Sequence, residues 1–220
     1  MKFSLEFKKR AFTSIFLLLL LFLAYQFNFI LIFLLIITLN YAIIEFTLLI
    51  KKIFFYRKII QFFLNIIFTV YIFVLGTLFV ILTTNIFSKL VLFYIILISI
   101  FSDIGGYIFG KLFKGPKLTK ISPNKTIFGS LGSFILPLLL FYLFVKDSFI
   151  FNDTLNNLMI IFIVSFVTQI GDIFFSYLKR KSKTKDTGKI LPGHGGILDR
   201  IDGIILGIPS GIIFIIIISQ

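Results

Sequence analysis

Long runs of Leu, Ile, Phe and Val, broken by short clusters of Lys, Arg and Asn, dominate the chain, and their lengths predict its elements. A helix needs roughly 20 apolar residues to cross about 30 Å of hydrocarbon. Seven runs qualify, at 11–27, 29–50, 59–85, 90–113, 127–145, 157–178 and 201–219. The first follows Lys8, Lys9 and Arg10 as a signal peptide would. No small-residue cleavage site follows it and a second span begins at 29, so it reads as an uncleaved helix. The 59–85 run is long, but either half of it is too short to span, so it reads as one tilted helix. The pattern predicts an all-α integral membrane protein with about seven transmembrane helices.

Charge placement orients this array, because Lys and Arg collect in cytoplasmic loops. With the N-terminus cytoplasmic, 20 of the 22 basic residues fall inside and only Lys89 and Lys146 fall outside. The net charge of +13 is then mostly a topological signal, which removes the support for a nucleic-acid partner. Composition agrees. Hydrophobic residues make up 59% of the 220 and charged residues 14%, with a mean hydropathy of +1.10, against about 45–50% and about 25% in soluble proteins. A soluble globule and a disordered chain are both excluded. The absence of Cys removes disulfide frameworks and thiolate metal sites. Residues 1–88 read as N-terminal transmembrane helices, and 89–220 as a catalytic transmembrane region with cytoplasmic loops 111–126 and 179–200.

Nine acids are present, and three lie in the interior of predicted spans: Glu45, Asp103 and Asp172. An ionisable group there costs on the order of 2.5–3.5 kcal/mol on insertion scales and faces a cavity or a partner. Glu45 stands about one turn before Lys51 and Lys52, which predicts an ordinary ion pair at the interface. Asp103 opens a run through Gly105, Gly106 and Gly110, where Gly106 and Gly110 form a small-xxx-small pair suited to close helix approach. Packing accounts for the glycines but not for the aspartate. Asp172, Ser176 and Lys179, at spacings of four and three, share one helix face as a polar stripe.

The two long basic loops carry the remaining chemistry. From Ser176 the chain runs through Lys179, Arg180, Lys181, Lys183 and Lys185 to Asp186, then Pro192-Gly193-His194-Gly195-Gly196 and Asp199-Arg200-Ile201-Asp202. Glycines around His194 permit backbone conformations that aim N–H groups at an anion. Asp199 and Asp202 open the last helix on one face and offer oxygen ligands. Carboxylates with one His and no Cys favour a hard ion such as Mg²⁺. With Lys and Arg nearby, these are the parts for phosphoryl or nucleotidyl transfer, where catalysis is largely positioning and charge neutralisation. The other loop places Ser122, Lys125 and Thr126 just before a helix, which also suits phosphate.

These residues resemble the CDP-diacylglycerol synthase family, the phosphatidate cytidylyltransferases. Its signature matches Ser176, Lys179, Arg180, Lys185, Asp186, Pro192 to Gly196, Asp199, Arg200 and Asp202 with the spacing intact across 27 residues. Asp103 to Gly110 looks like the family's Asp and Gly-Tyr helix, and Ser122-Pro123-Asn124-Lys125-Thr126 like its Ser-Pro-x-Lys-Thr loop. The likeness covers about residues 100–206. Ile127-Phe128 stands where the family usually has Trp-Glu, and the chain is shorter than bacterial members by one or two N-terminal spans.

The resemblance implies transfer of CMP from CTP to phosphatidate, giving CDP-diacylglycerol and pyrophosphate with Mg²⁺ and room for a second cation. It implies Asp172 and Asp199 as metal-binding carboxylates, with Asp103, Asp186 and Asp202 as outer or second-metal ligands. Lys179, Arg180, Lys185 and Arg200 would hold triphosphate or phosphatidate oxygens. Ser122, Lys125 and Thr126 would contact a phosphate, with Ser176, Gly195 and Gly196 also lining the substrate. His194 reads as a loop anchor more readily than a proton carrier, since a phosphate monoester nucleophile is already anionic and needs no strong base. The expected setting is the cytoplasmic (inner) membrane, and a homodimer is left open. Two alternatives compete: a related CTP-using lipid enzyme, either a polyprenol-type kinase or an ether-lipid cytidylyltransferase, and a transporter or scaffold. The second would spread polar residues across the membrane, whereas here they gather on the cytoplasmic side.

Overall fold

Each apolar run forms a helix, in the order expected: α1 (Leu5–Gln26), α2 (Asn28–Ile53), α3 (Lys58–Leu82), α4 (Ile86–Phe113), α5 (Ile127–Leu140), α6 (Thr154–Lys181) and α7 (Leu198–Ile218). The computed structural model describes residues 5–119, 121–145, 154–190 and 195–218. Lys120, Lys146, Asp147, Asp153 and the Pro192-Gly193-His194 part of the signature lie outside the described residues. Five helices, α2, α3, α4, α6 and α7, are long and apolar enough to cross a membrane, while α1 and α5 contribute shorter apolar stretches. Large apolar side chains stay exposed along them, among them Phe29, Phe73 and Ile81. In water that would be a severe cost; facing hydrocarbon it is the expected state of a helix apolar all round. The chain is therefore a multi-pass membrane protein in character.

Two compact units divide the chain, Met1–Thr83 with Leu178–Ile201, and Thr84–Tyr177 with Asp202–Gln220. In the first, α1 packs on α2 and α2 on α3. The Phe46 and Phe68 rings stack there with centroids 3.8 Å apart. The end of α6, the segment after it and the first turn of α7 complete this unit. Lys183, in the left-handed region at φ 55, closes α6, while the amide of Thr184 donates back to the Lys179 carbonyl at 3.0 Å.

In the second unit α4 packs along α5. Its start is capped by Asn85, whose side chain accepts from the Phe87 amide at 2.9 Å. A side chain at Gly105 would collide with the Gly132 carbonyl, and one at Gly132 with Phe109, so the two helix backbones meet with nothing between them. Pro137 lies within α5, and the helix then widens into a π-helical turn, Phe141–Val145. Helix α7 presents Gly203, Gly207 and Gly211 at four-residue intervals to Thr168 and Val164 of α6 and to Ser99 and Ile95 of α4. Across that contact Thr168 donates its hydroxyl hydrogen to Ser99 Oγ at 3.2 Å.

The glycine contacts differ in how far a neighbour can yield. Gly105→Ala sets a methyl against backbone and should lower stability by about 1–3 kcal/mol. At Gly76 of α3 the added carbon meets only the flexible end of Leu39 at 2.9 Å, so Gly76→Ala should be neutral or gain up to about 1 kcal/mol from helix propensity. Thermal unfolding of the two variants in detergent checks the difference in sign.

Candidate functional site

The second unit holds the 111–126 loop and Asp172. A short hairpin forms after α4: the Leu118 amide donates to the Lys125 carbonyl at 2.8 Å, and Lys125 to the Ser122 carbonyl at 3.0 Å. Ser-Pro-Asn-Lys is thus a β-turn, as its composition suggests. The turn delivers Thr126 as the N-cap of α5, its Oγ1 accepting from the Gly129 amide at 3.0 Å. One residue earlier, Lys125 Nζ forms an ion pair with Asp172 of α6. Both side chains keep partial exposure, 23% for Lys125 and 30% for Asp172. The sequence expects Asp172 to look along its own helix toward Ser176 and Lys179; its cation comes instead from the opposite loop. Ser122 and Ser176 are half-buried and Asp103 is exposed on α4. Asp202 is buried, with its Oδ1 accepting from the Gly203 amide at 2.9 Å.

The first unit holds the basic segment and the glycine-rich turn. Lys179 Nζ donates to Asp199 Oδ1 at 2.9 Å, in a pair only 12% and 5% exposed. The other oxygen of Asp199 accepts from the Thr187 amide at 2.8 Å and the Gly196 amide at 2.9 Å. Gly195 has φ +83, and a Cβ there would stand 2.9 Å from Asp199 Oδ2, so both its backbone and its neighbour require glycine. In the described part of the glycine run the Gly196 amide is aimed at an anion, and that anion is the protein's own Asp199. Arg180, Lys185, Asp186 and Arg200 are exposed.

Glu45 departs most from expectation. No ion pair with Lys51 or Lys52 forms; both lysines are exposed, while Glu45 is 2% exposed. Its Oε2 accepts from the Thr187 hydroxyl at 2.6 Å and the Leu198 amide at 2.8 Å, and its Oε1 from the Ile197 amide at 3.1 Å. Snorkelling loses because the α7 N-terminus supplies donors that need an acceptor. The only sequence signal was an acid inside an apolar run; nothing in its spacing named a partner 152 residues away.

Among the described residues no three His, Cys, Asp or Glu side chains gather at one point. Mg²⁺ does not require that, since it is often held by one or two carboxylates together with substrate phosphates and water. The donor chemistry fits such an ion. Asp172 engages one oxygen with Lys125, and Asp199 meets three donors of about four that a carboxylate accepts.

Apolar helices long enough to span and a lysine-paired carboxylate in each unit define the class: a multi-pass membrane protein carrying charged clusters. The sequence profile of the cytidylyltransferase family matches residues 2–218, and the chain belongs to that family. It is similar to proteins named phosphatidate cytidylyltransferase, at 42% identity over 106 residues in Helicobacter pylori, covering 48% of this chain and 40% of that protein. The Rickettsia felis protein is 43% identical over 109 residues (46% and 48% covered), and the Staphylococcus saprophyticus protein 46% over 114 residues (49% and 42% covered). The matched part thus spans under half the length of each of these relatives.

Breaking a buried ion pair from one side leaves an uncompensated charge and costs about 3–5 kcal/mol. Lys179→Met and Asp199→Asn should each destabilise the protein strongly, and the double variant by clearly less than their sum. A double-mutant cycle from unfolding in detergent measures the coupling.

Proposed function

We propose that the chain is a phosphatidate cytidylyltransferase of the cytoplasmic (inner) membrane, transferring CMP from CTP to phosphatidate. The observation that carries this is the intact polar signature from Ser176 to Asp202 in a chain of this family, with its Lys179, Gly196 and Asp199 joined in one hydrogen-bonded group. In the reaction a phosphatidate oxygen forms a bond to the α-phosphorus of CTP. The bond to the β-phosphate oxygen breaks, and pyrophosphate leaves with the electron pair.

The nucleophile is a phosphate monoester, anionic at neutral pH, so the difficulty is to bring anion against anion rather than to remove a proton. Exposed Arg180, Lys185 and Arg200 are suited to hold phosphate oxygens, Arg through paired donors and Lys as a mobile point charge. Lys125 and Lys179 orient Asp172 and Asp199. These two aspartates are the carboxylates assigned to Mg²⁺, which when bound neutralises phosphate charge. Ser122 and Thr126 offer hydroxyls at the start of α5, where helix amides favour phosphate. Asp103, Asp186 and Asp202 act around the metal rather than on the phosphorus, and Ser176, Gly195 and Gly196 border the nucleotide. Seven spans with a cytoplasmic N-terminus put the basic loops where CTP is found and beside the leaflet that presents phosphatidate.

Purified protein given labelled CTP, phosphatidate and Mg²⁺ should form CDP-diacylglycerol, and no product from folded protein overturns the assignment. Asp172→Asn should abolish turnover while leaving membrane insertion intact, and Asp199→Asn, which also breaks the buried pair with Lys179, should abolish it in the fraction that remains folded. Near-normal activity in either would refute its metal role. Topology can be checked separately, because the chain has no Cys. Single cysteines at Lys89 and Lys146 should react with an impermeant thiol reagent from outside, and those at Lys58, Lys117 and Lys185 only after permeabilisation.

A further inference from the structure

Glu45 lies outside the signature, on α2, yet is more thoroughly engaged by the signature segment than by its own helix. Three donors from that segment converge on its carboxylate: the Thr187 hydroxyl and the Ile197 and Leu198 amides. Thr187 and Gly196 also have their amides on Asp199. Thr187 and residues 196–198 are therefore held on one side by Glu45 and on the other by Asp199, with Thr187 bonded to both. Two glycines record the fit, since a Cβ at Gly188 or at Gly196 would run into the Glu45 carboxylate. A solvated or merely interfacial acid would not demand that clearance.

We propose that Glu45 is a positioning residue for the site: its carboxylate fixes the turn before α7 and so sets the place of Asp199. The catalytic part of this inference rests on the function proposed above, while the positional part stands on geometry alone. Removing the acceptor leaves the buried Ile197 and Leu198 amides and the half-buried Thr187 hydroxyl without that partner, so the turn must move to satisfy them. Displacement of a site group by about 1 Å lowers turnover by on the order of 100-fold.

The test compares wild type, Glu45→Gln and Glu45→Ala in lipid nanodiscs, by amide hydrogen exchange and by CDP-lipid formation from CTP and phosphatidate. Exchange at Ile197 and Leu198 should rise at least about 10-fold in Glu45→Ala, less in Glu45→Gln, which keeps a carbonyl acceptor. Peptides around the Phe46 and Phe68 stack should exchange as in wild type. Turnover should fall toward 100-fold in the same order, with the KM for CTP changing far less. Gly188→Ala should raise exchange in wild type and much less in the Glu45→Ala background, where the obstacle is gone. Unchanged exchange at Ile197 and Leu198 in folded Glu45→Ala overturns the proposal, as does loss of protection spread evenly through α2. Should Glu45→Ala not fold, Glu45→Gln and Gly188→Ala decide it by the same readouts. Inactive wild type overturns the enzymatic reading instead, and the exchange measurements still judge the role of Glu45.

Discussion

A buried carboxylate must be surrounded by donors, and the turn leading into α7 is organised by that requirement. Glu45 and Asp199, 2% exposed as a residue and 5% exposed as a side chain, accept six hydrogen bonds between them from one short segment and Lys179. Placing an acid in a span costs on the order of 2.5–3.5 kcal/mol. A hydrogen bond to a charged group contributes about 1.5–3 kcal/mol, so three of them offset that cost with a margin. The α7 N-terminus adds a favourable dipole. The amides of Thr187, Gly196, Ile197 and Leu198 are fixed because they have anions to meet.

The second unit solves a different problem with the same residue. Between helices in lipid there is little hydrophobic drive, because the tails are as apolar as the side chains. Dispersion and interhelical hydrogen bonds must serve, and both need close approach. Gly105 against Gly132, and Gly203 and Gly207 against Thr168, provide it. Around Gly207, which nears both side chains, Thr168 reaches Ser99; elsewhere in the unit Ser130 donates to Gln169 at 2.6 Å. These packed surfaces carry Asp172 and Lys125 on elements whose backbones have little freedom to slide.

The helices were legible because one constraint, hydrocarbon thickness, writes itself into run length; their order agrees and most ends agree within a few residues. The β-turn at Ser122 to Lys125 was legible for a local reason, the turn chemistry of Ser-Pro-Asn. Partners were not. Asp172 meets Lys125 rather than Lys179, because a face shared along one helix says nothing about what packs over it. The glycine stripe of α7 carries no signal by itself, since four-residue spacing of small residues has meaning only once Thr168 and Val164 are known to lie opposite. Glu45 was misjudged because snorkelling is the rule for acids near helix ends, and the rule yields when a long-range donor set competes.

The pairing also separates two tasks that a count of charges merges. From Leu178 to Ile201 there are seven cations and two acids. Lys179 is committed to Asp199 inside the protein, where low dielectric makes the contact strong and directional. Arg180, Lys183, Lys185 and Lys189 are exposed, where charges beyond about 8 Å are largely screened at physiological salt. The buried lysine therefore sets local geometry, and the exposed ones contribute a positive surface field that acts at short range. Pairing Asp199 internally with Lys179 leaves the positive field of the exposed cations uncompensated by that carboxylate.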